Sequence, residues 1–195
     1  MCMMKNQAQY DINPLFTQRW SPYAYDSDRA VSTQDLQGIF EAARWAMSAF
    51  NAQPWRYIVG VQGRSQETRD KIFDSLMEGN QGWTRNAPVL AIGLVQKNFE
   101  HNGNANPTAI HDLGAASASL ALEAAGRGLA VHQMSGFFAE KVREHFALDD
   151  DVQPFTALAI GYPLETGQTE DGFAKRDQRP RERKPVSELI LHGSL

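Results

Sequence analysis

The stretch from Ala43 to Val59 confines this chain more than any other, because Pro54 forbids a single regular element from running through it. Proline lacks a backbone donor and pushes the preceding residue, Gln53, toward an extended conformation. A helix entering from the N-terminal side must therefore end early. Ser48 and Asn51, whose side chains compete for local backbone hydrogen bonds, put that end near Met47. Beyond the proline, Trp55-Arg56-Tyr57-Ile58-Val59 has the aromatic and β-branched content of a strand. The resulting helix–loop–strand junction presents Ser48, Asn51 and Gln53 beside two tryptophans. Such a set suits a planar, hydrogen-bonding heterocycle better than a metal or a nucleophile. Taken alone, the stretch also reads as a polar turn between two core elements.

A chain of 195 residues accommodates one domain with a real core, here taken as residues 1–195. A net charge of -4 gives no reason to expect nucleic acid or an anionic membrane as partner. The single cysteine, Cys2, rules out a disulfide framework or a thiolate metal cluster. The opening residues lack the apolar core of a signal peptide, and no window approaches the roughly 20 apolar residues of a membrane helix. A cytoplasmic protein is the expectation.

Along the chain, Asp11 to Phe16 reads as a short capped helix ahead of Arg19 and Ser21, a forked cation and a hydroxyl able to close on one phosphate. Ser32 caps an amphipathic helix over 33–47, with Leu36, Ile39, Phe40, Ala43 and Met47 on its apolar side. A second helix is expected from Arg64 to Gly79, broken by Gly79-Asn80-Gln81-Gly82-Trp83. The apolar run Ala87 to Val95 marks a strand buried on both faces. Residues 98–107 form a polar loop, and a helix follows from about Thr108 to Arg127. The faces of that helix are nearly all small or apolar, so a second subunit is expected to supply part of its burial. After it come a short strand, a loop bearing Ser135 and Gly136, a helix over Ala139 to Phe146, and a buried strand over Phe155 to Pro163. Leu164 to about Arg183 is polar and charged, which predicts an extended arm. Arg181, Arg183 and Lys184 then precede a short apolar close. Helices with three or four separated strands predict an α+β fold.

Several chemistries drop out. No Gly-x-Gly-x-x-Gly follows a strand, and there is no phosphate loop ending in Gly-Lys-Ser/Thr. The five histidines have neither His-Glu-x-x-His spacing nor cysteine partners, so no metal site is expected. His111 and Asp112, as helix neighbours, point about 100° apart and suit a helix-start cap better than an acid–base pair. No Gly-x-Ser-x-Gly elbow occurs. With so little left for side chains to catalyse, a bound cofactor is expected to carry the chemistry.

Seven blocks, in order, resemble the flavin-dependent nitroreductase family. Arg19-Trp20-Ser21 looks like its phosphate-binding Arg-x-Ser, and Met47-Ser48-Ala49-Phe50-Asn51-Ala52-Gln53-Pro54-Trp55 resembles its Pro-Ser-x-x-Asn-x-Gln-Pro-Trp signature, with Met47 replacing proline. Gly79 to Trp83 with Asn86-Ala87-Pro88, His111 to Ala116, Gly128 to Phe137, Ile160 to Pro163 and Arg183 to Glu188 are similar to its later blocks. The resemblance implies a mixed sheet flanked by helices in an interlocked homodimer, with FMN at the subunit interface. It further implies that Arg19, Ser21 and Arg183 hold the FMN phosphate, and that Ser48, Ala49 and Asn51 reach the flavin from the partner subunit. Ser135 and Gly136 would place backbone N–H groups near flavin N5, and Asn80 would meet the ring's polar edge. NADH or NADPH would reduce the flavin, and a nitroaromatic, quinone or activated alkene would reoxidise it in a ping-pong cycle with no catalytic side chain. The alternatives are a flavin carrier or sensor, its ring covered by Phe50, Phe137 and Phe138, or a dedicated reductase of one small aldehyde or enone. Tyr23 stands where many relatives carry Lys or Arg beside flavin N1, so either another cation substitutes or the potential falls.

Overall fold

The alternation of side chains along the apolar run Val89–Gln96 (β2) splits the interior in two. In the computed structural model, which describes residues 8–164 and 172–193, Val89, Ala91 and Val95 enter one hydrophobic cluster while Leu90, Ile92 and Leu94 enter another. A strand that reads as one continuous apolar run is thus a two-sided wall, each neighbour in sequence facing the opposite layer. The sheet runs β1 (Trp55–Val61), β2, β4 (Val152–Gly161), β3 (Ala130–Met134). The sheet expected as mixed is antiparallel in every described pairing. A register shift between Gly93 and Leu94 leaves Phe155 as the extra residue of a bulge. A Cβ on Gly93 would meet Thr156 there at 2.9 Å.

On one face lie α2 (Thr33–Arg44) and α5 (Ala109–Gly126), burying Leu36, Ile39, Ala43, Leu113, Ala116 and Leu120. On the other lie α3 (Gln66–Ser75), α4 (Glu78–Thr84) and α6 (Ala139–Phe146), with Ile72, Trp83 and Val142 in the core. The short α1 (Pro14–Gln18) is capped by Asn13, whose side chain accepts from the Leu15 N–H. Its Leu15 lies 3.8 Å from where a Cβ on Gly126 would be, so α1 rests against the C-terminal end of α5.

Three expectations need correction. The helix of 33–47 ends at Arg44, where the Trp45 indole donates to Glu41 and the chain leaves the helical path. The glycines at 79 and 82 do not break a helix but lie inside α4. The Gln81 amide donates to the carbonyls of Phe73 and Leu76, Thr84 donates to the Asn80 carbonyl, and the buried Trp83 pins the turn, so tertiary anchoring outweighs low helix propensity. The polar arm also differs from an extended strand: Gly172–Asp177 forms α7, whose Phe173 ring packs so close that a Cβ on Gly82 would meet it at 3.2 Å. The rest of the arm up to 171, with Cys2, lies outside the described residues.

Candidate functional site

The C-terminal segment returns to the first turn of the chain and builds a positively charged corner. Arg181 donates from both terminal nitrogens, to the carbonyl oxygens of Arg19 and Thr17, from 162 and 164 residues away. Arg19 in turn points a terminal nitrogen at the Ser21 hydroxyl, 3.4 Å away. Burial, then the charge of Arg183, holds Arg19 below the ordinary arginine range; burial, then Arg19 and Arg183, does the same to Arg181. Each charge felt there is positive, and among the described residues no carboxylate forms an ion pair with the three. Guanidiniums that repel one another are suited to an anion, which they can hold by charge-assisted hydrogen bonds.

The backbone beside this corner is held from three directions. The Asp177 carboxylate accepts from the Tyr23 N–H at 2.9 and 3.0 Å and from the Ala24 N–H at 3.0 Å. His132, on β3, uses Nδ1 to reach the Pro22 carbonyl at 2.8 Å. Its ring stacks on Trp83 with centroids 4.4 Å apart, while the edge of Tyr23 meets it at 4.9 Å. The Arg176 guanidinium stands over the Tyr23 ring, 4.9 Å from its centroid, so a cation does neighbour the tyrosine.

Asn80 and Gly136 form a second, rigid part of the site. The Asn80 amide donates to the Gly136 carbonyl at 2.8 Å and accepts from the Trp83 indole at 3.1 Å. The Met77 N–H donates to the same carbonyl at 3.0 Å. A Cβ on Gly136 would stand 2.5 Å from the Asn80 amide nitrogen, so glycine is required by space. Ser135, next to it, gives its carbonyl to the Phe137 N–H at 3.0 Å.

The junction loop is the strained part. Phe50, Asn51 and Gln53 take φ values of 53, 53 and 46°, left-handed backbone that non-glycine residues rarely adopt. Gln53 is therefore not extended as expected. Its N–H donates to the Ser48 hydroxyl at 3.0 Å and its amide to Asn51 Oδ1 at 3.1 Å, which closes the loop on itself. The Ala49 N–H is anchored on the buried Asp112 carboxylate at 3.2 Å. Asp112 also accepts from Thr108, which agrees with a helix-start role. Phe50 projects outward, 86% exposed, with the ring of Phe99 edge-on at 5.9 Å.

Not every expected site residue comes together within one protomer. Arg19 meets Ser21, the charge of Arg183 bears on Arg19, and Asn80 meets Gly136. Ser48, Ala49 and Asn51 do not join them. The loop is tied to Asp112 at the start of α5, whereas α1, which leads into Arg19, touches Gly126 at its end. Fourteen residues of helix separate those points, about 21 Å along the axis. No group of three His, Cys, Asp or Glu able to hold a metal occurs among the described residues.

The Nitroreductase family model matches residues 16–81 and 60–162. The chain belongs to that family. An uncharacterised 15.4 kDa protein of Mycolicibacterium smegmatis is 32% identical over 143 residues, 71% of this chain and 95% of that one. A Streptomyces coelicolor protein, provisionally named NADH dehydrogenase/NAD(P)H nitroreductase, is 31% identical over 156 residues, covering 70% of this chain and 78% of its own. Among solved structures, an oxidoreductase containing FMN superimposes with a TM-score of 0.88 at 32% identity, over 100% of this chain and 98% of that one.

Four side chains around the site escaped sequence reasoning even with the nitroreductase resemblance in hand: Asp112, His132, Asp177 and Arg181. Asp112 was read as a cap, and Arg181 as one of three cations without a task. No local signal marks His132 or Asp177, because their partners are backbone groups more than a hundred residues away.

Proposed function

We propose that this nitroreductase-family chain is an FMN-dependent NAD(P)H oxidoreductase acting on electron-poor acceptors such as nitroaromatics, quinones or activated alkenes. The observation that carries the reading is the three-arginine corner, an anion site assembled from both ends of the chain. When bound, FMN accepts a hydride from the nicotinamide and passes it to the acceptor, so the protein's tasks are binding, orientation and exclusion of water. Arg19, Ser21, Arg181 and Arg183 hold the phosphate by charge-assisted hydrogen bonds. The Asn80–Gly136 unit holds the polar edge of the ring, with one Asn80 amide hydrogen still free of Gly136. Arg176 over Tyr23 is the substitute cation for the missing Lys or Arg.

The same reading makes the active unit a homodimer. Ser48, Ala49 and Asn51 stand too far along α5 to reach a phosphate-bound flavin of their own protomer, and a partner supplies them instead. The side of α5 turned away from the core supports this, since Ile110, Gly114 and Ala118 are exposed there and nothing lies within 4 Å of a Cβ on Gly114. Trp45 and Met47, 75% and 76% exposed, extend the apolar area.

The decisive experiment is the absorption spectrum of the purified protein before and after NADH or NADPH, followed by menadione. A flavin spectrum that bleaches and then recovers is expected. A colourless protein that ignores added FMN would end the proposal.

A further inference from the structure

His132 lies beside the arginine corner without belonging to it, and two of its features single it out. It is the only histidine whose ring is stacked on a buried tryptophan among the described residues, and its Nδ1 is spent on Pro22, next to Ser21. A carbonyl only accepts, so Nδ1 carries the hydrogen, and in the neutral ring Nε2 is the basic atom. The groups facing it are few. Arg19 and Tyr23 come from the first segment, and the Tyr25 hydroxyl there donates to the carbonyl of Ala159, the sheet partner of His132. From α4 comes the uncharged Trp83. From α7, Arg176 and Asp177 act through Tyr23 and its N–H.

We propose that His132 is a proton-linked positioning residue: its ring fixes the Arg19–Ser21 turn through Pro22, and its Nε2 takes up a proton from solvent when a phosphate monoester settles among Arg19, Arg181 and Arg183. The proposal rests on the FMN-phosphate reading above. Before the anion arrives, burial first and the charge of Arg19 second keep the imidazole neutral, against the pull of the Pro22 carbonyl. A dianion cancels the field of Arg19 and adds its own, so the cost of the imidazolium falls. Linkage fixes the sign. The loaded protein binds the proton more tightly than the free one, so FMN affinity gains from acidification through the loaded value, about tenfold for each unit separating the two. The phosphate's own second ionisation, at about pH 6, acts in the opposite sense and is present in every His132 variant, so the difference between wild type and variant reads the coupled pair.

Titration calorimetry of FMN into the flavin-free protein tests this, in buffers of different ionisation enthalpy between about pH 5.5 and 7.5. The His132→Asn variant keeps a donor in the place of Nδ1 and cannot titrate. The wild type is expected to take up more protons per FMN than the variant, by a difference approaching one, and to lose its affinity advantage as the pH rises. Equal proton counts in the two proteins overturn the role of His132 alone. Failure of FMN to bind the wild type overturns the function reading as well. Should the variant not fold, histidine ring NMR of the wild type decides: one imidazole titrating higher with FMN but not with riboflavin supports the proposal, and no such signal defeats it.

Discussion

Arg181 shows how one side chain serves structure and charge together. Its two donors close on the carbonyls of Thr17 and Arg19, fixing the turn that carries Arg19, while its own charge joins the anion site. Arg181→Ala removes both, and a charged hydrogen bond is worth about 2 kcal/mol. FMN is expected to bind roughly thirtyfold more weakly or worse, read by quenching of flavin fluorescence. Arg176 is a separate case, since its charge bears on the ring rather than the phosphate. Arg176→Gln is expected to lower the two-electron potential of bound flavin, by about 30 mV for each ~1.4 kcal/mol of lost stabilisation of the reduced form. An unchanged potential would show that Arg176 does not replace the cation missing at Tyr23. Arg19 was legible in the sequence as a residue able to take a phosphate, and Arg183 only through the family resemblance. The grip of Arg181 on the Arg19 carbonyl was not legible, because only the fold brings positions 162 residues apart into hydrogen-bonding range.

At the scale of elements, periodicity was readable wherever one pattern ran long enough. The alternation hidden in Val89–Gln96 and the helical stripes of α5 and α6 gave boundaries within a residue or two, since burial on one face or both dictates them. The misread elements, α4 and α7, are short and polar, and each is held by its neighbour. Gly82 makes that dependence testable. A methyl there would press on the Phe173 ring at 3.2 Å, and α7 carries the Asp177 that holds Tyr23 and Ala24. Gly82→Ala is expected to weaken FMN binding while stability falls by only about 1–3 kcal/mol, the usual cost of overpacking. Gly136→Ala is the sharper variant, because the Asn80 amide it displaces is locked by the Trp83 indole. Thermal unfolding together with an FMN titration separates a local loss from a global one.

For the whole molecule, the separation along α5 predicts subunit complementation. A protein with Arg19→Ala and Arg183→Ala lacks the phosphate half of each site, and one with Ser48→Ala and Asn51→Ala lacks the loop half. Each alone is expected to bind FMN poorly. Unfolded, mixed in equal amounts and refolded together, they should recover about a quarter of the sites, since half of the dimers are then mixed and each of those has one intact site. No recovery would place both halves in one protomer. Beyond the family resemblance, the proposed pairing had only an indirect sequence signal, the helix with too many small faces, because a partner's residues leave no periodicity in the chain they complement.

The arginine corner also orders events in time. Arg19 leaves the ribosome early, yet the pocket it belongs to is missing a wall until positions 176–183 have emerged and folded back across it. If the corner holds the coenzyme as proposed, capture waits until that fold-back is complete, and chains not yet filled are the more open to proteolysis. A shortage of coenzyme should then show first as a shorter lifetime of newly made protein, before any change in the turnover of molecules already filled.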